Sequence, residues 1–78
     1  MKWLLIIAVF TDNGLASSVR ERPLGAFDTL AACTAQGHAE LLKAAPLVRG
    51  SVRRIELYCE PRGRPNEAAD VPVGRAAR

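Results

Sequence analysis

Residues 3–10, WLLIIAVF, decide the fold, because these eight apolar residues follow one another without a polar interruption. A helix that crosses a bilayer needs about 20 such residues, so the run is too short to span a membrane. A short apolar run that ends in polar residues is consistent with a strand buried inside a sheet. We therefore predict a central β-strand here and no membrane span.

A secretory signal is the alternative interpretation of this segment. Lys2 precedes the apolar run, and Gly14 and Ala16 are small residues at a potential cleavage site. Residues 11–14, TDNG, favour the strand, because Asn-Gly is a strong hairpin signal in which both residues tolerate a positive φ. We therefore predict a cytoplasmic protein, with export as the alternative if residues 1–16 are a signal peptide.

The hairpin signal predicts a second strand that returns antiparallel to the first. A two-residue turn at Asn13 and Gly14 starts this strand at Leu15 and continues it to about Arg20. The register then pairs Phe10 with Ser17, Ala8 with Val19 and Ile6 with Glu21. Pro23 and Gly25 are expected to end the strand.

Helical spacing of apolar residues begins after Asp28 and predicts one helix near residues 29–45. Asp28 or Thr29 is expected to cap its start, and Pro46 ends it because proline cannot continue the hydrogen-bond ladder. The stripe that faces the core is expected to contain Leu30, Cys33, Thr34, Gly37, Leu41 and Ala44.

Residues 51–60 alternate with period two and predict a third strand whose inward residues are Ile55, Leu57 and Cys59. A right-handed crossover places this strand on the far side of the first. We therefore predict an α+β fold: a single ββαβ domain over residues 1–60, with one helix on one face of a three-stranded antiparallel sheet of order 2-1-3. Residues 61–78, rich in proline and arginine, are predicted to form a flexible tail that folding does not require.

One helix covers only one face of such a sheet, so the other face is expected to expose an apolar row. If Leu4, Ile6, Ala8 and Phe10 point at the helix, the candidate interface consists of Trp3, Leu5, Ile7 and Val9, with Tyr58 beside them. A contiguous apolar patch normally marks an interface. We expect a protein partner or a second copy of the chain on this face, and coverage by the tail is the other explanation.

The two cysteines are expected to meet, because Cys33 lies on the core edge of the helix and Cys59 on the inward face of the third strand. A disulfide would add about 3 kcal/mol to the free energy of unfolding and would favour an oxidising compartment. A reduced pair would pack as two small apolar residues in the cytoplasm. The sequence leaves both states open.

Catalytic and metal-binding patterns are absent from the sequence. His38 can be combined with Cys33 and Cys59 into a three-ligand set, but structural zinc sites use four ligands in paired short spacings. No base and orienting group accompany a nucleophile, and the glycines form no phosphate-binding loop. We therefore predict no enzyme activity, no metal and no cofactor.

Four arginines, Arg20, Arg22, Arg53 and Arg54, form a predicted basic rim, in which Arg20 and Arg22 share one face of the second strand and Arg54 lies on that same outward face of the third. The net charge is only +3, and acidic residues such as Glu21 and Glu56 are interleaved with the arginines. There is no aromatic platform for bases either, so the pattern argues against nucleic-acid binding. It is typical of solvated charges that protect a sheet edge.

Three short motifs resemble small uncharacterised proteins of alphaproteobacteria and of phages of that group. MKWL at residues 1–4 opens the first strand, FDT at 27–29 opens the helix ahead of Cys33, and YCEP at 58–61 ends the last strand. The resemblance spans roughly residues 1–61. It implies a ββαβ scaffold with one cysteine in the helix and one in the last strand, and it supplies no catalytic residue.

Small size, an apolar face and a basic rim together predict a non-catalytic protein-binding module. One form that fits is a phage-encoded inhibitor acting on a host defence complex of the CRISPR type or on a nucleic-acid-processing complex. The alternative is an exported small structural protein stabilised by a disulfide.

Overall fold

Four antiparallel strands and one helix make up the fold. The computed structural model describes residues 2–62 and 69–78 of the chain. In chain order the elements are β1 (Lys2–Asp12), β2 (Ser17–Phe27), α1 (Leu30–Ala44), a short 3-10 helix (Ala45–Leu47), β3 (Val52–Arg62) and β4 (Val71–Ala77). The strand order is β2-β1-β3-β4. The predicted α+β class and the order 2-1-3 are confirmed, and the sheet has a fourth strand beyond β3.

The fourth strand comes from the segment predicted to be a flexible tail, so that prediction is wrong for residues 61–62 and 71–77. β4 pairs with β3 so that Val71 lies opposite Cys59 and Gly74 opposite Leu57. Val71 and Val73 pack against the core, which explains why the segment is ordered. Residues 63–68 of the predicted tail lie outside the described residues.

The central strand β1 turns its odd-numbered residues toward α1, so its predicted orientation is reversed. Leu5 is 0% exposed and Trp3 is 9% exposed, and both belong to the core cluster. Pairing with β3 explains this orientation, because Leu5 lies opposite Cys59 and directly opposed residues share a face. The inward face predicted for β3 is confirmed by its buried residues Ile55, Leu57 and Cys59.

The β1–β2 hairpin closes with a four-residue loop, residues 13–16, instead of the predicted two-residue turn. The side-chain oxygen of Asn13 accepts hydrogen bonds from the backbone N–H groups of Leu15 and Ala16 at 2.9 and 3.0 Å. Gly14 supplies the positive φ, 90°. The wider loop moves the register by two residues, so that Phe10 pairs with Val19. A shift of two keeps the β2 side chains from Ser17 to Pro23 on the same face relative to β1.

The helix α1 agrees closely with its prediction. Thr29 is the N-cap, and its hydroxyl accepts a hydrogen bond from the backbone N–H of Ala32 at 3.1 Å. Pro46 lies in the 3-10 helix that follows, where the α-helical ladder has already ended. The buried residues of α1 are Cys33, Gly37 and Ala44, all from the predicted stripe.

Both edges of the sheet use the same three-residue pattern, Pro23-Leu24-Gly25 in β2 and Pro72-Val73-Gly74 in β4. In each strand the middle residue is a β-bulge that has no partner in the register and packs against the core. Proline cannot donate a ladder hydrogen bond, so it is tolerated on an edge strand and discourages pairing with another chain. β2 therefore continues past Pro23 and Gly25, which were predicted to end it.

Cys33 and Cys59 form a disulfide between α1 and β3, with their Cα atoms 6.3 Å apart. Both side chains are 0% exposed. The predicted meeting of the two cysteines is confirmed, and the bridge fixes α1 over the β3 side of the sheet.

Close packing of α1 on β4 depends on Gly37. A methyl group at this position would lie 2.8 and 2.9 Å from the two γ-carbons of Val73 and 3.2 Å from Leu5 Cδ1. Overpacking costs about 1–3 kcal/mol, more than the roughly 1 kcal/mol by which alanine favours a helix over glycine. We expect Gly37→Ala to lower the free energy of unfolding, as measured by urea denaturation.

The matched control for this prediction places Gly37→Ala in a Val73→Ala background, where space is available for the methyl group. There the alanine should be neutral or stabilising, so the two substitutions should be strongly non-additive. Equal effects of Gly37→Ala in both backgrounds would contradict the close contact.

Candidate functional site

A groove on the helix side of the sheet is the candidate site, and we call it the β2–α1 groove. It has a volume of about 570 Å³. Its floor is formed by side chains of β1 and β3, namely Ile7, Val9, Val52 and Ile55. Its two walls are Arg20 and Arg22 of β2 on one side, and Ala44 and Leu47 at the end of α1 on the other.

The groove exists because α1 does not cover the whole sheet. The helix packs mainly on β3 and β4 and only weakly on β2. Gly37 against Val73 and Leu41 near Gly74 fix it on that side. The sheet between β1 and β2 therefore carries apolar side chains that no other element covers among the residues described, and Ile7 and Val9 are only half-buried.

The register of β2 sets the charge of the groove. Arg20 lies opposite Val9, and Arg22 lies opposite Ile7, so both arginines share the helix-side face with the groove floor. Neither forms an ion pair with any residue in the described ranges. Four other cations are paired there: Lys2 with Asp28, Lys43 with Glu40, Arg54 with Glu56 and Arg62 with Glu60.

The predicted interface residues are divided between three environments. Trp3 and Leu5 are buried in the core beneath α1, where no partner reaches them without unfolding the chain. Ile7 and Val9 form part of the groove floor, on the helix side of the sheet and not on the opposite face. Tyr58 does lie on that opposite face, because it pairs with Ile6.

The face opposite the helix, the outer face, is covered by its own long side chains. The Tyr58 hydroxyl donates a hydrogen bond to the carboxylate of Glu21 across β1. This contact crosses β1 diagonally, because Tyr58 lies opposite Ile6 and Glu21 lies opposite Ala8, and these two β1 residues are only 7% and 4% exposed. The Arg54 guanidinium lies 4.0 Å from the centre of the Phe10 ring, a cation–π contact. The even-numbered residues of β1, which were predicted to face the helix, therefore lie on this face and are largely shielded by these side chains.

The predicted basic rim is divided between the two faces of the sheet. Arg54 lies on the outer face, where its Nε is 2.6 Å from a Glu56 carboxylate oxygen without hydrogen-bond alignment, an ion pair. Arg53 is the extra residue of a bulge in β3. Arg20 and Arg22 do share a face, as predicted, but it is the helix-side face. The two arginines that matter for the groove are therefore those of β2.

Tyr58 is the most strongly perturbed titratable group on the outer face. Burial raises the pKa of its hydroxyl above the ordinary value of 10.0, and the hydrogen bond and charge of Glu21 raise this pKa further. An unfolded tyrosine ionises first as the pH rises, so this contribution to stability is fully present below pH 10 and is lost progressively as the pH rises from 10 through the raised pKa of the folded state.

We expect the ultraviolet absorbance of tyrosinate to report this shift directly, because Tyr58 is the one tyrosine in the chain. The folded protein should ionise at a pH well above 10.0. Glu21→Gln should lower the midpoint but leave it above 10.0, because burial is the largest cause. A midpoint at the ordinary value in the folded wild-type protein would contradict the contact with Glu21.

The set of Cys33, His38 and Cys59 is not assembled as a metal site in the part of the chain that the structure describes. No group of three or more His, Cys, Asp and Glu side chains is close enough there to hold a metal ion. Both cysteines of the ligand set considered above belong to the disulfide, and His38 is exposed on α1. Glu21 is the one carboxylate that lines the described groove, and its carboxylate accepts the Tyr58 hydrogen bond.

Five groove residues were not predicted as site residues: Glu21, Ala44, Leu47, Val52 and Ile55. Leu47 is 55% exposed, and the signal that could have identified it is an apolar residue directly after Pro46, outside the helical stripe. Ala44 and Val52 carry no such signal, because their places depend on how the end of α1 meets β3.

Comparison with protein-family models, with curated proteins and with solved structures gives no match to this chain. The resemblance to alphaproteobacterial and phage proteins therefore stays a prediction. No helix among the described residues is long and apolar enough to cross a membrane.

Proposed function

We propose that this chain is a non-catalytic protein-binding module and that the β2–α1 groove is its binding surface. The observation that carries the proposal is the combination of an aliphatic floor with two arginines that have no ion-pair partner among the described residues. Apolar surface next to unpaired arginine is typical of interface cores, where arginine and large apolar side chains are enriched.

The chemistry of the groove supports binding rather than catalysis. The titratable groups that line it in the described structure are Arg20, Glu21 and Arg22. Arginine does not deprotonate in proteins and so cannot act as a general base. A binding role also suits the inhibitor hypothesis, in which a small chain occupies a site on a host defence or nucleic-acid-processing complex.

Site-specific photocrosslinking in cells of the natural source tests this proposal. A photoreactive residue replaces Leu47 on the groove wall or, as a matched control, Leu42 on the exposed side of α1. Both leucines are well exposed, 55% and 78% respectively, so neither substitution should disturb the core. We expect a discrete adduct from position 47 alone, which disappears when Arg20 and Arg22 are both replaced by glutamate.

Two results would count against a binding role for the groove. Adducts of the same pattern from positions 47 and 42 would indicate non-specific contact. An adduct from position 47 that survives Arg20→Glu and Arg22→Glu would place the partner elsewhere.

An exported, disulfide-stabilised protein is the second proposal, and the Cys33–Cys59 pair favours it because disulfides persist in oxidising compartments. Export of this fold requires that β1 be retained, since β1 pairs with both β2 and β3. The intact mass of the protein from its natural source tests whether the disulfide is formed and whether β1 is retained. A mass about two hydrogens below that calculated for the reduced chain, with β1 present, would support export. The mass of a fully reduced chain would argue for the cytoplasm.

A further inference from the structure

The chemistry of the β2–α1 groove also specifies what kind of protein segment fits it, an inference that rests on the proposed function. We propose that the occupant is an amphipathic α-helix of a partner protein, with an apolar stripe and two acidic residues on the flank that faces β2. This helix would lie beside α1 and complete the layer that covers the sheet.

The dimensions of the sheet support a second helix. Neighbouring strands are about 4.8 Å apart and a helix with its side chains is about 10 Å wide, so one helix covers about two of four strands. In this fold α1 packs mainly on β3 and β4. Trp3 and Leu5 of β1 also lie beneath α1, so the uncovered area is the part of β1 and β2 around Ile7 and Val9, and it is about one helix wide.

A helix suits this position better than an extended segment does. A strand that lies flat on a sheet face leaves its own backbone N–H and C=O groups without partners over an apolar floor, whereas a helix satisfies them internally. The floor formed by Ile7, Val9 and Ile55 offers apolar contacts but no backbone partners, since β1 lies between β2 and β3 in the sheet. Helix-in-groove recognition of this kind places anchors at i, i+3, i+4 and i+7.

The spacing of the two arginines matches acidic residues one helical turn apart. Arg20 and Arg22 are two residues apart on an extended strand and on the same face, which separates their Cα atoms by about 7 Å. Residues i and i+4 of a helix are about 6 Å apart along its axis. Two glutamates with this spacing can therefore each meet one guanidinium.

A second copy of the chain does not meet this requirement. The exposed side of its own α1 offers one carboxylate, Glu40, which already contacts Lys43 at 3.6 Å and accepts a hydrogen bond from Gln36. The chain also carries a net charge of +3, so two copies repel each other. Charge complementarity favours an acidic partner of a different sequence.

Designed peptides test the proposal with the full-length, oxidised protein. The first peptide is a helix with leucine at i, i+3, i+4 and i+7 and glutamate at two flank positions four apart. The second peptide carries lysine at those two positions, and the third has the composition of the first in an order that destroys the stripe. Backbone amide shifts of Val9, Ala44 and Leu47 in the labelled protein report where each peptide binds.

We expect the glutamate peptide to shift the groove amides and to bind about 10-fold or more tightly than the lysine peptide, while the scrambled peptide does not bind. Replacing Arg20 and Arg22 by glutamate should reverse this preference, so that the lysine peptide becomes the tighter ligand. The control variant Arg53→Glu with Arg75→Glu makes the same change in net charge away from the groove and should keep the glutamate preference.

Each other outcome overturns the helix proposal. Equal affinity for the glutamate and lysine peptides would show that the arginines do not select the ligand. Chemical-shift changes confined to amides outside the groove would show that the peptide binds elsewhere. If dodecanoate binds in the groove and neither peptide does, the groove is a lipid site. If the free protein sediments as a dimer formed through the groove, the occupant is a second copy of the chain. A crosslink from Leu47 without peptide binding would leave the binding module standing and reject only its helical ligand.

Discussion

Replacing Leu5 with aspartate is expected to unfold the protein. Leu5 is 0% exposed at the centre of the core, where it lies opposite Cys59 of β3 and Gly25 of β2. A carboxylate without a partner at such a site costs several kcal/mol. A domain of this size has a total free energy of unfolding of about 5 kcal/mol. We therefore expect loss of the folded circular dichroism signal without denaturant.

Leu4→Asp is the matched control, because it makes the same substitution in the neighbouring residue of the same strand. Leu4 is half-buried on the outer face, where its cross-strand partners are Ala26 and Glu60. Water reaches this position, so we expect a smaller loss, about 1–2 kcal/mol, and a folded chain. The opposite pattern, with Leu5→Asp tolerated and Leu4→Asp unfolded, would mean that β1 faces the helix with its even-numbered residues.

The orientation of β1 shows how far its sequence alone could be used. Eight apolar residues in succession predict a buried strand in the centre of the sheet, and β1 is that strand. The same uniformity removes the alternation that distinguishes one face from the other. The orientation is instead set by β3, whose polar and apolar residues do alternate and whose Cys59 lies opposite Leu5. Only a cross-strand register carries this information.

The fourth strand was missed for a different physical reason. Val71 and Val73 are the only large apolar residues of the segment after Pro61, and on their own they bury little surface. An edge strand needs apolar side chains on only one face, however, and its ladder with β3 supplies backbone hydrogen bonds. The proline and glycine content of the segment favoured a flexible tail, whereas Pro72 beside the bulge and Gly74 at the close approach to α1 are residues that fit an edge strand.

The candidate site could be predicted only in part. That Arg20 and Arg22 share one face of β2 follows from strand periodicity and is confirmed by the register. Which face they share depends on the orientation of β1. Because that orientation was predicted the wrong way round, the basic rim was predicted on the wrong face of the sheet. The opposite wall of the groove, with Leu47, depends on where the chain turns after α1. No local pattern in the sequence determines that position.

The two faces of the sheet have exchanged the roles that the sequence suggested. On the outer face Tyr58 is hydrogen-bonded to Glu21, and Arg54 lies over the Phe10 ring. Long side chains therefore cover this face, which has no helix packed on it. The helix side is the face with uncovered apolar area, because α1 lies on β3 and β4. The apolar area left open in this fold is therefore set by where α1 lies on its own face of the sheet, and the number of helices does not determine it.

Reducing the Cys33–Cys59 disulfide is expected to lower the free energy of unfolding by about 3 kcal/mol, because the bridge restricts the unfolded chain over a sequence separation of 26 residues. For a domain of this length 1 kcal/mol corresponds to about 4–8 °C in Tm, so the expected decrease is roughly 12–24 °C. Thermal unfolding with and without a thiol reductant measures it. Both cysteines are buried in the folded protein, so the reductant does not reach the bridge there. The chain must therefore be unfolded in the presence of the reductant before the measurement.

The variant with Cys33→Ala and Cys59→Ala separates the bridge from other effects of the reductant. Its Tm should be low and should not respond to reductant, whereas the wild-type Tm should fall toward that of the variant. A wild-type Tm that stays within a few degrees after complete reduction would mean that the packing of α1 on β3 and β4 holds the core without the bridge. In that case the fold would be equally suited to a reducing compartment, and the disulfide would lose its value as an argument for export.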